Sequence, residues 1–323
     1  MSKENDLWRF VASRMSDGES LILLVVAKSS GSSPGRAGYK MMVAEDGQLC
    51  GSIGGGVMEV ALADTAKLRI ENGELRIRTE LVEQVHQKNS PNSSGMICSG
   101  RQTVILRQLT ADDAKTIDSI IAALENKEPA SLAITQSDLT LGPPKGGTPI
   151  ITFEKFSENN FVYIERLGPK NDLYIVGGGH CSLALSELMS KMDFCIRIFD
   201  DRPDLNTIGK NKFADEISIV NSYQQIGELI PSGSNVYVVV MTLGYKSDEI
   251  VIRALLDKDL KYFGVLGSMA KMKTLLTSLA KDGVSKEKLA RIHAPIGLSI
   301  NSRTPEEIAV SIAAEIIAVK NAD

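Results

Sequence analysis

The chain has 323 residues and few groups that gather metals unaided. Its four cysteines, Cys50, Cys98, Cys181 and Cys195, form no C-x-x-C pair, which excludes a local zinc cage and argues against a disulfide framework. The three histidines are too far apart in sequence to make a metal motif. No apolar run reaches bilayer-crossing length, and Leu21 to Ala27 is only strand-sized. The opening Met1-Ser2-Lys3-Glu4-Asn5-Asp6 lacks an apolar signal stretch, so the expected location is the cytoplasm, with reduced thiols and no membrane partner. A net charge of −4 argues against nucleic acid as a partner. Internal repeats and low-complexity tracts are also missing. An apolar share of 43% and a charged share of 24% are ordinary for a globular protein, and the length favours two domains over one.

What is present is organised around Leu173-Tyr174-Ile175-Val176-Gly177-Gly178-Gly179-His180. Four strand formers enter a glycine turn. Leu185, Leu188, Met189 and Met192 then recur at helical spacing, and a second strand, Phe194 to Phe199, closes on Asp200-Asp201-Arg202. Strand, glycine turn, helix, strand and acid is the opening of a doubly wound nucleotide-binding sheet. The glycines permit a tight turn, the helix start offers free N–H groups to a phosphate, and the acid can accept from a ribose. Gly177 and Gly179 supply the first two glycines of that fingerprint, and Ser182 replaces the third. Gly177, Gly178, Gly179, His180, Asp200, Asp201 and Arg202 are therefore candidate ligand contacts. Because Arg202 would accept a 2′-phosphate, NAD and NADP both stay open. The plainer reading is a turn that lets a helix pack closely on a sheet.

Ahead of this unit the chain reads as α+β. Residues 5–17 have the spacing of an amphipathic helix, and Leu21 to Lys28 that of a buried strand. Tyr39 to Ala44 and Gln48 to Cys50 read as a hairpin, after the polar loop from Ser29 to Gly38. A second glycine cluster, Gly51-Ser52-Ile53-Gly54-Gly55-Gly56, leads into a helix extending to about Glu71. Gly54, Gly55 and Gly56 with the Ser52 hydroxyl could hold an anion, with Arg36 and Lys40 nearby, or could be a crossing of two backbones. Cys98 lies between a polar loop and the strand Thr103 to Gln108. A strand is expected over Leu75 to Leu81, a helix from Thr110 to about Glu125, and two or three strands within 130–166. Leu167 to Asp172 is the linker candidate, giving domains 1–168 and 169–323. Thr304-Pro305-Glu306-Glu307 is a capping box that opens a last helix.

Taken together, Gly31-Ser32-Ser33-Pro34, the Gly51 to Gly56 cluster with Glu59, the Gly177 to His180 turn, Asp200-Asp201-Arg202, Gly264-Val265-Leu266-Gly267-Ser268 and Pro295-Ile296-Gly297-Leu298 resemble the xanthine dehydrogenase accessory family of XdhC/CoxI type. The resemblance implies an N-terminal domain followed by a Rossmann-like one. It implies a maturation factor that binds the molybdenum cofactor, molybdopterin, assists its sulfuration and delivers it to an apo molybdenum hydroxylase. It further implies a cysteine desulfurase partner and a homodimer, working as a chaperone rather than a catalyst. On this reading the pterin phosphate lies at Gly54 to Gly56, with Ser52 and Glu59 beside it and the Cys98 thiol toward the metal. Three positions depart from the family pattern. Val57 stands where a cysteine is usual, Cys98-Ser99-Gly100 keeps only the thiol of Cys-Gly-Gly, and Thr242-Leu243-Gly244-Tyr245 has no histidine. An NAD(P)-dependent oxidoreductase and a nucleotide-binding regulator remain as alternatives.

Overall fold

The computed structural model describes residues 3–72, 78–85, 100–144, 150–157, 160–192 and 194–322. The chain divides into two compact units, Met1–Gly168 and Pro169–Asp323.

In unit 1, helix α1 (Lys3–Ser16) precedes strand β1 (Leu21–Gly31), the hairpin β2 (Lys40–Ala44) and β3 (Leu49–Gly51), and helix α2 (Gly56–Glu71). Strands β4 (Thr79–Val85) and β5 (Gly100–Leu109) complete an antiparallel sheet of order β3-β2-β1-β5-β4. Both faces of β1 are covered, which is why it reads as an unbroken apolar run rather than an alternation. Leu21, Leu23, Val25 and Ala27 face the cluster containing Trp8, Ile117 and Tyr163, whereas Ile22, Leu24 and Val26 pack with Leu62, Ala66 and Ile70 of α2. Helix α3 (Ala114–Glu125) follows a short turn with a Thr110–Asp113 capping box. Segment 130–166 holds four strands among the described residues, against the two or three expected. They are β6 (Ala130–Thr135), β7 (Leu139–Gly142), β8 (Ile151–Ser157) and β9 (Asn160–Leu167), in the order β7-β6-β9-β8. Of the strand expected at Leu75 to Leu81, residues 75–77 lie outside the described residues, and β4 covers the rest from Thr79.

Unit 2 is a parallel sheet of order β12-β11-β10-β13-β14. Strand β10 (Asn171–Val176) leads through helix α4 (His180–Met189) to β11 (Phe194–Asp200), and helix α5 (Asn206–Lys210) leads to β12 (Glu216–Ile219). The short α6 (Ile226–Leu229) then returns the chain to β13 (Gly233–Val240), beside β10. From there α7 (Tyr245–Leu255) connects to β14 (Leu260–Val265), and α8 (Met269–Lys281), α9 (Lys286–Ala290) and α10 (Pro305–Asn321) follow. One face of the sheet is covered by α4 and α10, through Leu185, Met189, Ile312 and Ile316. The other is covered by α7 and α8, through Val251, Leu255, Leu275 and Leu279. The direction of winding reverses between β10 and β13. In open α/β sheets that is where ligands bind, beyond the carboxyl ends of the strands. The protein is thus of α/β class, with a doubly wound C-terminal sheet and antiparallel sheets in the N-terminal part.

Candidate functional site

In unit 1 the glycine cluster does interlock with the preceding loop. Gly54 has φ +124°, and a Cβ there would lie 2.3 Å from the Gly35 nitrogen. A Cβ on Gly35 would in turn lie 2.2 Å from the Ile53 carbonyl oxygen. Only glycine lets two backbones approach so closely. The close crossing of two backbones is what the structure shows, and it leaves a ring of N–H donors at the start of α2.

That ring has an occupant from the chain itself. Oε2 of Glu59 accepts from the Ser52 hydroxyl at 2.6 Å, the Ile53 N–H at 2.8 Å and the Gly55 N–H at 2.9 Å. Partial burial pushes the Glu59 carboxyl up, but the Ser52 hydroxyl and the backbone donors outweigh it and hold the group below the usual carboxylate range. Glu59 therefore lies with Ser52 and Gly55, as the sequence reading grouped them, but as an internal counter-ion for the nest. The Lys40 ammonium is not available to a phosphate there. It is buried and binds Glu4 at 2.8 Å and Glu165 at 2.5 Å; burial alone would lower its pKa, but the two carboxylates hold it raised. Arg36 is exposed, with no side-chain partner among the described residues.

A buried amide chain ties these loops together, and sequence reasoning missed it. Ser33 Oγ donates to Gln102 Oε1, Gln102 Nε2 to Gln84 Oε1, and Gln84 Nε2 to the Met58 carbonyl, at 2.9, 2.7 and 3.2 Å. Two glutamines on neighbouring strands carry no motif, so only the register of β4 on β5 reveals them. Val57, in the first turn of α2, is 59% exposed. Cys98 lies outside the described residues.

In unit 2, β10 delivers the chain to the switch point. Gly177 has φ +112°, and a Cβ there would sit 2.3 Å from the Met241 carbonyl oxygen at the end of β13. Gly178 is covered by Ile208 of α5, and its carbonyl accepts from Thr207. Gly179 caps α4 without a side-chain partner and faces open space, as a phosphate approaching the backbone needs. His180 follows it, exposed. Ser182, in place of the third glycine, is fully buried in the first turn of α4, and its hydroxyl has no partner among the described residues.

Asp200 is fully buried and turned back onto this turn. Its Oδ2 accepts from the Gly178 N–H at 2.6 Å and from Arg202 Nη2 at 2.7 Å. Its Oδ1 accepts from the Arg202 N–H at 2.9 Å and Arg202 Nε at 2.8 Å. Burial raises the Asp200 pKa, but Arg202 and the Gly178 N–H more than reverse this and hold the carboxyl low. Asp201 is partly exposed and accepts from the Tyr223 hydroxyl at 3.1 Å.

At the end of β13, the stretch lacking histidines has a different polar group. Asp248, fully buried, accepts from the Thr242 hydroxyl at 2.5 Å and from Lys271 at 2.6 Å. Leu243 and Met269 are 82% and 74% exposed at the same edge. The Pro295 to Leu298 stretch runs instead along β14: Ile296 N–H bonds to Val265, and Glu315 of α10 accepts from Gly297 N–H and the Tyr262 hydroxyl. Among the described residues no group of three or more His, Cys, Asp and Glu side chains could hold a metal ion.

Comparison with known proteins agrees with this architecture. Residues 173–316 match the XdhC Rossmann domain, and residues 15–81 match the XdhC and CoxI family. A protein of Bacillus subtilis (strain 168) described as a probable xanthine dehydrogenase subunit is 25% identical over 94% of each chain. The molybdenum cofactor insertion chaperone PaoD of Escherichia coli (strain K12) is 24% identical over 97% of this chain and 87% of its own. A solved structure described as a xanthine dehydrogenase from Bacillus halodurans superposes with a TM-score of 0.70 at 22% identity, covering 99% of this chain and 96% of that one. With both family domains in their expected order and relatives matching nearly end to end, the chain belongs to the XdhC/CoxI accessory family.

Proposed function

We propose that this protein is a maturation factor for a molybdenum hydroxylase, which binds the molybdenum cofactor and hands it to the apo-enzyme. The observation that carries this reading is the near full-length relationship to a named molybdenum cofactor insertion chaperone. The site chemistry supports it. The open Gly179 backbone at the start of α4 suits a phosphorylated ligand.

In this scheme unit 2 takes a phosphate at Gly177, Gly178, Gly179 and His180. In unit 1, an oxyanion enters the ring at Ser52, Gly54, Gly55 and Gly56 only by displacing Glu59. Cys98 is the thiol assigned to the metal end and to sulfuration, with a cysteine desulfurase as sulfur donor. The carrier works in the cytoplasm as a homodimer.

The test is a transfer assay. The purified protein is loaded with molybdenum cofactor, freed of excess, and mixed with an apo hydroxylase. Regained hydroxylase activity, reduced in a Cys98→Ser variant, is the expected result. A protein that neither retains cofactor nor activates the apo-enzyme would sink the carrier role.

A further inference from the structure

The usual reading of an acid at the end of the second strand is that it accepts the hydroxyls of an adenosine ribose. Asp200 has no acceptor capacity left for that. A carboxylate offers about four lone-pair sites. Here all are filled, by the Gly178 N–H, the Arg202 N–H, Arg202 Nε and Arg202 Nη2. The side chain is also fully buried. What the pair presents outward is the other edge of Arg202, which is partly exposed and whose Nη1 donors have no partner among the described residues. Its orientation is fixed by a two-point grip on Asp200, so little freedom remains to be lost on binding.

We infer that Arg202, held by Asp200, is the specificity-determining residue of unit 2 and recognises a phosphomonoester, while a ligand presenting only a ribose diol there is disfavoured. This rests on the reading that the glycine turn takes a phosphorylated ligand. Two sources share that chemistry: the 2′-phosphate of an adenine dinucleotide, and the terminal phosphate of molybdopterin. Asp200 is a positioning residue that touches the turn and Arg202 but not the ligand. The neighbouring Asp201 accepts from the Tyr223 hydroxyl and lies 3.8 Å from Arg202 Nε.

The experiment is titration calorimetry on the full chain at one fixed, low salt concentration, using ligand pairs that differ only in the phosphate. The pairs are NADP with NAD, 2′,5′-ADP with 5′-AMP, and molybdopterin with its phosphatase-treated form. In at least one source, the phosphorylated member should bind about tenfold tighter or more. Arg202→Gln should bring that ratio close to one, so the ratio rather than either absolute affinity is the readout. Arg202→Lys keeps the charge but loses the fork, and should retain part of the preference; melting curves of both variants confirm folding. A preference in the adenine pairs assigns the 2′-phosphate, and one confined to the pterin pair assigns the cofactor's own phosphate. Ratios near one for all three wild-type pairs would overturn the inference, and so would a preference that survives in Arg202→Gln. Failure of cofactor transfer with the phosphate preference intact would remove the carrier reading and leave this one standing.

Discussion

At the residue scale, Glu59 does for this protein what a bound anion does elsewhere. It neutralises converging N–H dipoles that would otherwise need water or a ligand. Its folded-state pKa is depressed, so its contribution to stability is fully present above the unfolded value and is lost as the pH falls through the folded one. Glu59→Gln should therefore melt earlier than wild type at pH 7, by an amount equivalent to about 1 kcal/mol. The gap should narrow as the pH is taken from 5 to 3, because acid removes from wild type what the variant already lacks. Thermal unfolding across that range measures both effects. Position 57 offers a second residue-scale outcome. Its side chain is exposed on the first turn of α2. Val57→Cys should retain more molybdenum cofactor than wild type, read by metal analysis after gel filtration.

At the element scale, two glycines only two residues apart differ in what they tolerate. Gly177→Ala puts a Cβ against the Met241 carbonyl at a positive φ, and should cost roughly 2 kcal/mol or more in denaturant unfolding. Gly179 has φ −72° and open space around it, so Gly179→Ala should leave stability within about 1 kcal/mol while weakening ligand binding. Sequence spacing marks both as turn glycines and cannot separate them, since the difference lies in a strand more than sixty residues away. Elements with local signals are legible. These include the β2–β3 hairpin, α2 to Glu71, and the last helix with its Thr304 and Glu307 capping box. Helix α8 is harder to see although Met272, Leu275 and Leu279 repeat at its buried face, because it opens directly out of the loop-like Gly267-Ser268. Asp200 stands out as a candidate, but its spacing from Gly177 says nothing of how many donors already surround it. The Asp248–Lys271 pair and the Gln84–Gln102 chain join residues from separate elements, and nothing local marks them.

At the scale of the whole molecule, each unit has its own apolar clusters, and those of unit 2 draw only on residues from Leu173 onward. A fragment of residues 169–323 should therefore fold alone and unfold in one cooperative transition. Denaturant titration followed by circular dichroism checks this, and a broad, non-cooperative curve would mean that the sheet depends on unit 1. On the proposed carrier reading, the protein spends much of its life without cargo. Because Glu59 satisfies the ring at α2 from within the chain, that loop is already assembled when the protein is empty. Loading of the ring would then cost the Glu59 contacts rather than the ordering of a loop. The same molecule could pass through many rounds of delivery unchanged, as reusable equipment rather than a part consumed with each enzyme it completes.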